Sequence, residues 1–242
     1  MKLKIYTILL LNLIASLPSF GETLGVFTSS MTQARQLKRN LRQDPLLKDH
    51  RILVFSRQRD FDRAAKFEKF DFTILPSRYP VRSDQYEALF QLTRQGAATF
   101  RYQIITLEER WRDIKSSPPI LGAFDELGRR NMNQFAKSIF PKYQFKRIKL
   151  SGKLKDLYPM LALGNVEVIM IDPQVLETIR KDSKATPILI DQSEPVALPK
   201  IFVKKGHKSP LNTTLANLKK ATLQALGVDD LKRITSEGGT SR

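Results

Sequence analysis

The stretch Gly164-Asn165-Val166-Glu167-Val168-Ile169-Met170-Ile171-Asp172-Pro173 holds the stop of one helix, a strand and the start of another helix. Gly164 closes an apolar-faced helix over residues 154–163, and glycine is the residue that tolerates the left-handed turn there. Pro159 falls inside that helix, so the helix must kink or restart at it. Residues 166–171 are almost wholly apolar and read as the most buried strand of the chain. Asp172 then offers a side-chain cap, and Pro173 fits the first helical position, where its missing N–H costs nothing. Helix, strand and helix in such close succession predict an α/β protein with a parallel sheet.

Outward from this unit the alternation continues in both directions. Upstream, residues 24–27, 51–55, 72–75 and 102–106 read as strands. Residues 31–42 form a helix with a basic outer face, a polar helix lies between the second and third strands, and residues 83–95 read as a helix capped by Ser83 and closed by Gly96. After Pro118-Pro119 the pattern restarts: strand 120–124, helix 130–140, strand 145–149 and then the 154–173 unit. Downstream, residues 188–190 and 201–203 are strands, and Leu211, Leu215, Leu218 and Leu226 predict one long amphipathic C-terminal helix. Two α/β units in succession predict two lobes joined by crossovers near 105–112 and 192–202. The divisions are 22–109 for the first part of lobe one, 110–195 for lobe two, and 196–242 for the return to lobe one and the C-terminal helices.

Residues 1–21 predict a secretory signal. Lys2 and Lys4 precede a 13-residue apolar run from Ile5 to Leu17, shorter than the roughly 20 residues of a membrane span. Pro18 breaks the run, and Ser19 and Gly21 place small residues at a cleavage site, making Glu22 the first mature residue. With no cysteine in the chain there is no disulfide, no thiolate metal site and no lipid-modified cysteine. A periplasmic location follows as the expectation. Without Lys2 and Lys4 the chain carries 39 basic and 24 acidic residues, a formal net charge of +15. Such a field attracts anions, unless it is only a generally basic surface. The charges are scattered singly rather than interleaved with aromatics, so nucleic acid is not the expected partner. No nucleophile elbow, phosphate loop or dinucleotide fingerprint is present, and His50 and His207, in Lys-rich loops, read as solvated. No metal, cofactor or catalytic constellation is expected, and the chain reads as a binding protein, monomeric, not an enzyme.

Several segments carry a resemblance. Residues 164–172 resemble the "aNGevDaaavd" segment of type 2 periplasmic binding proteins, in particular the phosphate/phosphite/phosphonate-binding components of ABC importers. Phe70-Asp71-Phe72-Thr73-Ile74-Leu75-Pro76 resembles that group's "fDvawlgP". Residues 187–203 resemble its return to the first lobe, and the 12-residue step from Gly152 to Gly164 matches its spacing. The resemblance spans nearly all of 22–226. It implies a two-lobed type 2 fold with a ligand cleft between lobes, a small phosphate- or phosphonate-like solute, and delivery to the membrane permease of an ABC importer. The alternative is a sensor or accessory protein of the same fold, with a remodelled cleft, signalling to a membrane receptor.

The departures lie at the ligand. The group's Ser-Thr-Ser-Gly-like run corresponds to Asp125-Glu126-Leu127-Gly128-Arg129-Arg130-Asn131, which has no hydroxyl, and its histidine after the glycine turn is replaced by Leu154. Arg129 and Arg130 would supply charge-assisted bonds instead, or they are two solvated arginines on a first helical turn. Asp125 and Glu126 add negative charge beside the supposed anion site. Asp172 matches the second-lobe acid that holds a ligand amine, or it is a helix cap alone. From lobe one, Thr28, Ser29 and Ser30 after the first strand and Ser77, Arg78 and Tyr79 after the third are placed to line the cleft.

Overall fold

The computed structural model describes residues 21–28, 31–110, 117–180 and 186–234. Ser29 and Ser30, two of the cleft residues expected from sequence, lie outside them.

Lobe one is a six-stranded sheet in the order β13-β4-β12-β3-β1-β2. It is built from β1 (Thr23–Phe27), β2 (Arg51–Phe55), β3 (Phe72–Leu75), β4 (Tyr86–Thr93), β12 (Lys200–Lys204) and β13 (Asp230–Arg233). The helices α1 (Met31–Gln43) and α2 (Gln58–Phe67) connect its first three strands. These three strands are parallel, and β12 returns antiparallel between β3 and β4. Leu37 and Leu41 of α1 are fully buried and pack with Leu24, Val26, Ile74 and Leu92 on one side of the sheet. Phe61 of α2, Phe27 and Phe70 fill the other, with the Phe61 and Phe70 rings stacked at 5.4 Å.

Lobe two is a five-stranded sheet in the order β10-β6-β9-β7-β8. Its strands are β6 (Gln103–Leu107), β7 (Ile120–Phe124), β8 (Arg147–Ser151), β9 (Val168–Ile171) and β10 (Pro187–Gln192). The helices α3 (Arg129–Ile139), α4 (Leu157–Ala162) and α5 (Pro173–Arg180) accompany them. Every residue of β9 is buried, as its unbroken apolar run predicts. Gly164 has φ 75°, and beyond it the N–H groups of Asn165 and Val166 both donate to the Met160 carbonyl. Pro159 sits in the first turn of α4, where a helix needs no amide donor from it, so it starts the helix instead of kinking it.

Two crossovers join the lobes, and they pair with each other as β5 (Thr99–Phe100) and β11 (Val196–Ala197), two residues on each side. The first crossover is therefore earlier than the sequence predicts, because 103–107 already lies in the second sheet. Two further expectations are corrected. Residues 83–95 are not a helix, since β4 occupies them. Opposite β12, the register steps from Ile201↔Phe90 to Phe202↔Ala88 and leaves Leu89 as an extra residue. That bulge breaks the two-residue period and leaves Tyr86, Leu89, Phe90 and Thr93 at spacings that imitate a helix. The C-terminal leucine stripe is not one helix either, but α6 (Leu211–Thr214), a short 3-10 turn and α7 (Lys220–Ala225). Leu218 turns extended at ψ 139°, and the buried Asp44 carboxylate accepts from the Lys219 amide (2.9 Å) and the Thr222 hydroxyl (3.2 Å), fixing a new helix start. Among the described residues no helix is long and apolar enough to cross a membrane.

Gly25 sits in β1 against the Phe70 ring, which a Cβ would meet at 2.8 Å. Gly25→Ala is expected to destabilise lobe one by about 1–3 kcal/mol through overpacking. Gly152→Ala, with nothing within 4 Å, should change stability little. Urea denaturation of the two variants checks the difference.

Candidate functional site

Parallel strands point their carboxyl ends the same way, and loops leaving those ends make the crevice of an open α/β sheet. Here the loops after β1, β3 and β4 face the loops after β7 and β9, enclosing a cavity of about 160 Å³. Phe27, Phe100, Phe124 and Met170 give it apolar walls, and Arg78, Arg94, Tyr102, Glu126 and Asp172 give it polar ones.

The charged residues pair across the cleft. Arg78 of lobe one is ion-paired with Glu126 of lobe two. Arg94, directly after β4, forks onto Asp172, directly after β9, with Nη1–Oδ1 at 3.0 Å and Nη2–Oδ2 at 3.2 Å. Its Nε donates to the Gly227 carbonyl at 2.9 Å, and its guanidinium carbon lies 5.2 Å from the Phe100 ring centroid. Arg78 lies 5.5 Å from the Phe135 centroid, and its Nε is buried without a hydrogen-bond acceptor. These side chains are only 12–21% exposed, so the pairs are little screened by solvent. Between the two, the Tyr102 hydroxyl receives a long hydrogen bond from Arg78 (3.4 Å) and donates one to Glu126 (3.5 Å). Burial pushes its ionisation up despite the neighbouring Arg78, so it stays a protonated donor at neutral pH.

Asp172 fills the capping role read from sequence, and its carboxylate faces the cleft as well. Its Oδ1 also accepts from the Gln174 amide at 3.0 Å, which caps α5, while the same carboxylate holds Arg94. Thr28 and Arg78 line the cleft as expected. The other sequence candidates are placed differently. Ser77 is not among the lining residues; its hydroxyl donates to the Ala197 carbonyl at 2.6 Å and ties its loop to the return crossover at the cavity's edge. Tyr79 donates to Asp62 at 2.5 Å and packs edge-on against Phe27 and Phe61, because its ring completes the aromatic core under α2. Burial, then Asp62, pushes its ionisation up. Arg129 and Arg130 are exposed on the first turn of α3 and outside the cavity lining. An α3 N-terminus has three inward positions per two turns, and Met132, Ala136 and Ile139 take them. His50 and His207 are half-buried and partnered, where the sequence reads them as solvated. Both flank Glu22, His207 Nε2 at 2.7 Å and His50 Nδ1 at 3.7 Å, where they close the far end of lobe one.

Sequence reading missed Arg94 because a helix over 83–95 hides it at a terminus, whereas a strand end puts it in the crevice. Glu126 was read as a charge opposing the site, not as the partner of Arg78.

No family model matches the sequence, and no curated protein matches it by sequence. Solved structures do match in fold. A binding-protein component of an ABC phosphonate transporter from Pseudomonas aeruginosa aligns at a TM-score of 0.61 and 11% identity, over 88% of this chain and 81% of that one. This is the type 2 periplasmic-binding-protein fold. A protein from Xanthomonas citri bound to ATP aligns at 0.57 and 11% identity, over 90% and 92%. The effector-binding domain of a BenM variant aligns at 0.53 and 12% identity, over 88% and 99%. The fold is thus shared by transporter components and by regulatory effector domains, and it is a ligand-binding fold in both.

The ion pairs link the two lobes across the cleft. The double variant Arg78→Ala/Arg94→Ala is expected to open the cleft, seen as a larger radius of gyration in solution X-ray scattering. A double-mutant cycle on Arg94 and Asp172 should give a coupling of about 1–3 kcal/mol.

Proposed function

We propose that this chain is an exported solute-binding protein that closes on a small solute bearing an oxyanion, of the phosphate or phosphonate kind, and presents it to the permease of an ABC importer. The observation that carries this reading is the pair of arginines, Arg78 and Arg94, held in the cleft by carboxylates of the opposite lobe. A guanidinium already oriented in a cleft is a ready receptor for an oxyanion, and Arg78 keeps a buried Nε free for it. The cleft charges cancel, two against two. A solute with a cationic amine beside its oxyanion therefore suits it better than a bare anion, since the amine replaces the arginine that Asp172 or Glu126 gives up. Binding, with no bond made or broken, is the whole of the proposed action, and closure commits the lobes to the bound solute.

A second reading has an observation of its own. The residues where phosphorus-binding relatives carry hydroxyls hold Asp125 and Glu126 here, and Arg129 and Arg130 face solvent. A cleft so remodelled suits a periplasmic sensor that reports a different solute to a membrane receptor.

Two measurements check these readings. Calorimetry with phosphate, alkylphosphonates and aminoalkylphosphonates should favour the last, and Arg78→Ala or Arg94→Ala should weaken binding about 10- to 150-fold. Arg233→Ala, on the exposed β13, should change little. Binding of none of them, with tight binding of some other solute class, favours the sensor. Protein recovered from the periplasm should begin at Glu22; an intact Met1 on exported material counts against the export reading.

A further inference from the structure

Helix α1 carries no acidic residue. Its inward stripe, Ala34, Leu37 and Leu41, is buried on the sheet. Its outward stripe is Arg35, Lys38, Arg39 and Arg42, at i, i+3, i+4 and i+7. Arg35 with Arg39, and Lys38 with Arg42, are like-charge pairs one turn apart, and each works against the helix.

The row is extended by the neighbouring helix. Asn40 donates to the Ala221 carbonyl at 3.0 Å, which sets the start of α7 beside α1, so the exposed Lys219 and Lys220 join the same face. The first acid after α1 in the chain, Asp44, is fully buried, and its carboxylate is already bonded to Leu46 N, Lys219 N and Thr222 Oγ1. Among the described residues none of the six cations makes an ion pair, and the four on α1 span about 10 Å of its length.

We propose that this face of lobe one rests on an anionic phospholipid bilayer surface. Charge complementarity sets the class of partner. A protein interface needs an apolar centre with few lysines, and among the described residues the exposed large apolar side chains, Phe67, Leu163 and Leu189, all lie outside α1 and α7. A face of cations alone fits a sheet of phosphate headgroups, which it meets without inserting. None of the six lines the cleft, so a chain resting on the membrane still binds solute. The proposal is independent of which solute that is.

The test is flotation of the full chain with phosphatidylcholine vesicles, with and without phosphatidylglycerol. Binding is expected only with phosphatidylglycerol, and is lost at about 0.5 M salt, where charges are screened within a few ångströms. Each cation removed should lower the partition coefficient about fivefold, and Arg39→Ala/Arg42→Ala about thirtyfold. Lys142→Ala/Lys146→Ala, exposed on lobe two, makes the same change in net charge and should retain most of the binding. Equal losses in the two variants would mean that only the diffuse net charge acts, and overturn the assignment. So would binding to phosphatidylcholine alone, binding that survives salt, or tighter binding to duplex DNA with the same loss in Arg39→Ala/Arg42→Ala. Unchanged far-ultraviolet circular dichroism of both variants excludes misfolding as the cause of a loss.

Discussion

The two guanidinium–carboxylate pairs across the cleft, Arg78 with Glu126 and Arg94 with Asp172, are where the two sheets meet. Each partner leaves the carboxyl end of a different strand: β3, β7, β4 and β9. Such convergence needs both sheets to aim those ends at one crevice, and the parallel arrangement of β1 to β3 and of β7 to β9 provides it. The buried setting makes each pair strong but also demanding, because removing one partner strands the other charge in a poorly solvated place. A solute that enters must therefore replace what it displaces, charge for charge. This selects on the pattern of charge in the solute, where the chain's overall positive field selects only on sign.

Much of the architecture is legible in the sequence, and the failures have physical causes. In the stretch 164–173 the helix stop, the strand and the next helix start are all read correctly, though the strand begins two residues later than its apolar run, since a left-handed glycine, an apolar run and an Asp-Pro start each depend on local chemistry. The strand at 86–93 is misread because its bulge at Leu89 is imposed by β12, a partner more than a hundred residues away. The long C-terminal helix is misread for a similar reason: Asp44, distant in sequence, captures the Lys219 amide and ends one helix to begin the next. Local pattern reports local causes, and both of these causes are tertiary.

The site is less legible than the fold. Thr28, Arg78 and Asp172 follow strands that were placed correctly, so the crevice rule located them. Tyr79, next to Arg78, differs only in which way its side chain turns, which is set by the Phe27 and Phe61 rings packed beside it. Arg129 and Arg130 were chosen by correspondence with a hydroxyl run that this chain lacks, and the helix they begin turns them to solvent. Arg94 depended on recognising β4.

Phe100 sits where the two lobes join. It lies in the two-residue ribbon between β5 and β11, packs against the core of each lobe, and carries Arg94 above its face. Apart from the cleft pairs, this ring and that ribbon are the main continuity between two otherwise separate hydrophobic interiors. Few contacts cross so thin a connection, and relative motion of two lobes joined this way is the physical expectation. A solute bridging the cleft would fuse them into one body, so that occupancy is written into the mechanics of the whole molecule and not only into the shape of its pocket.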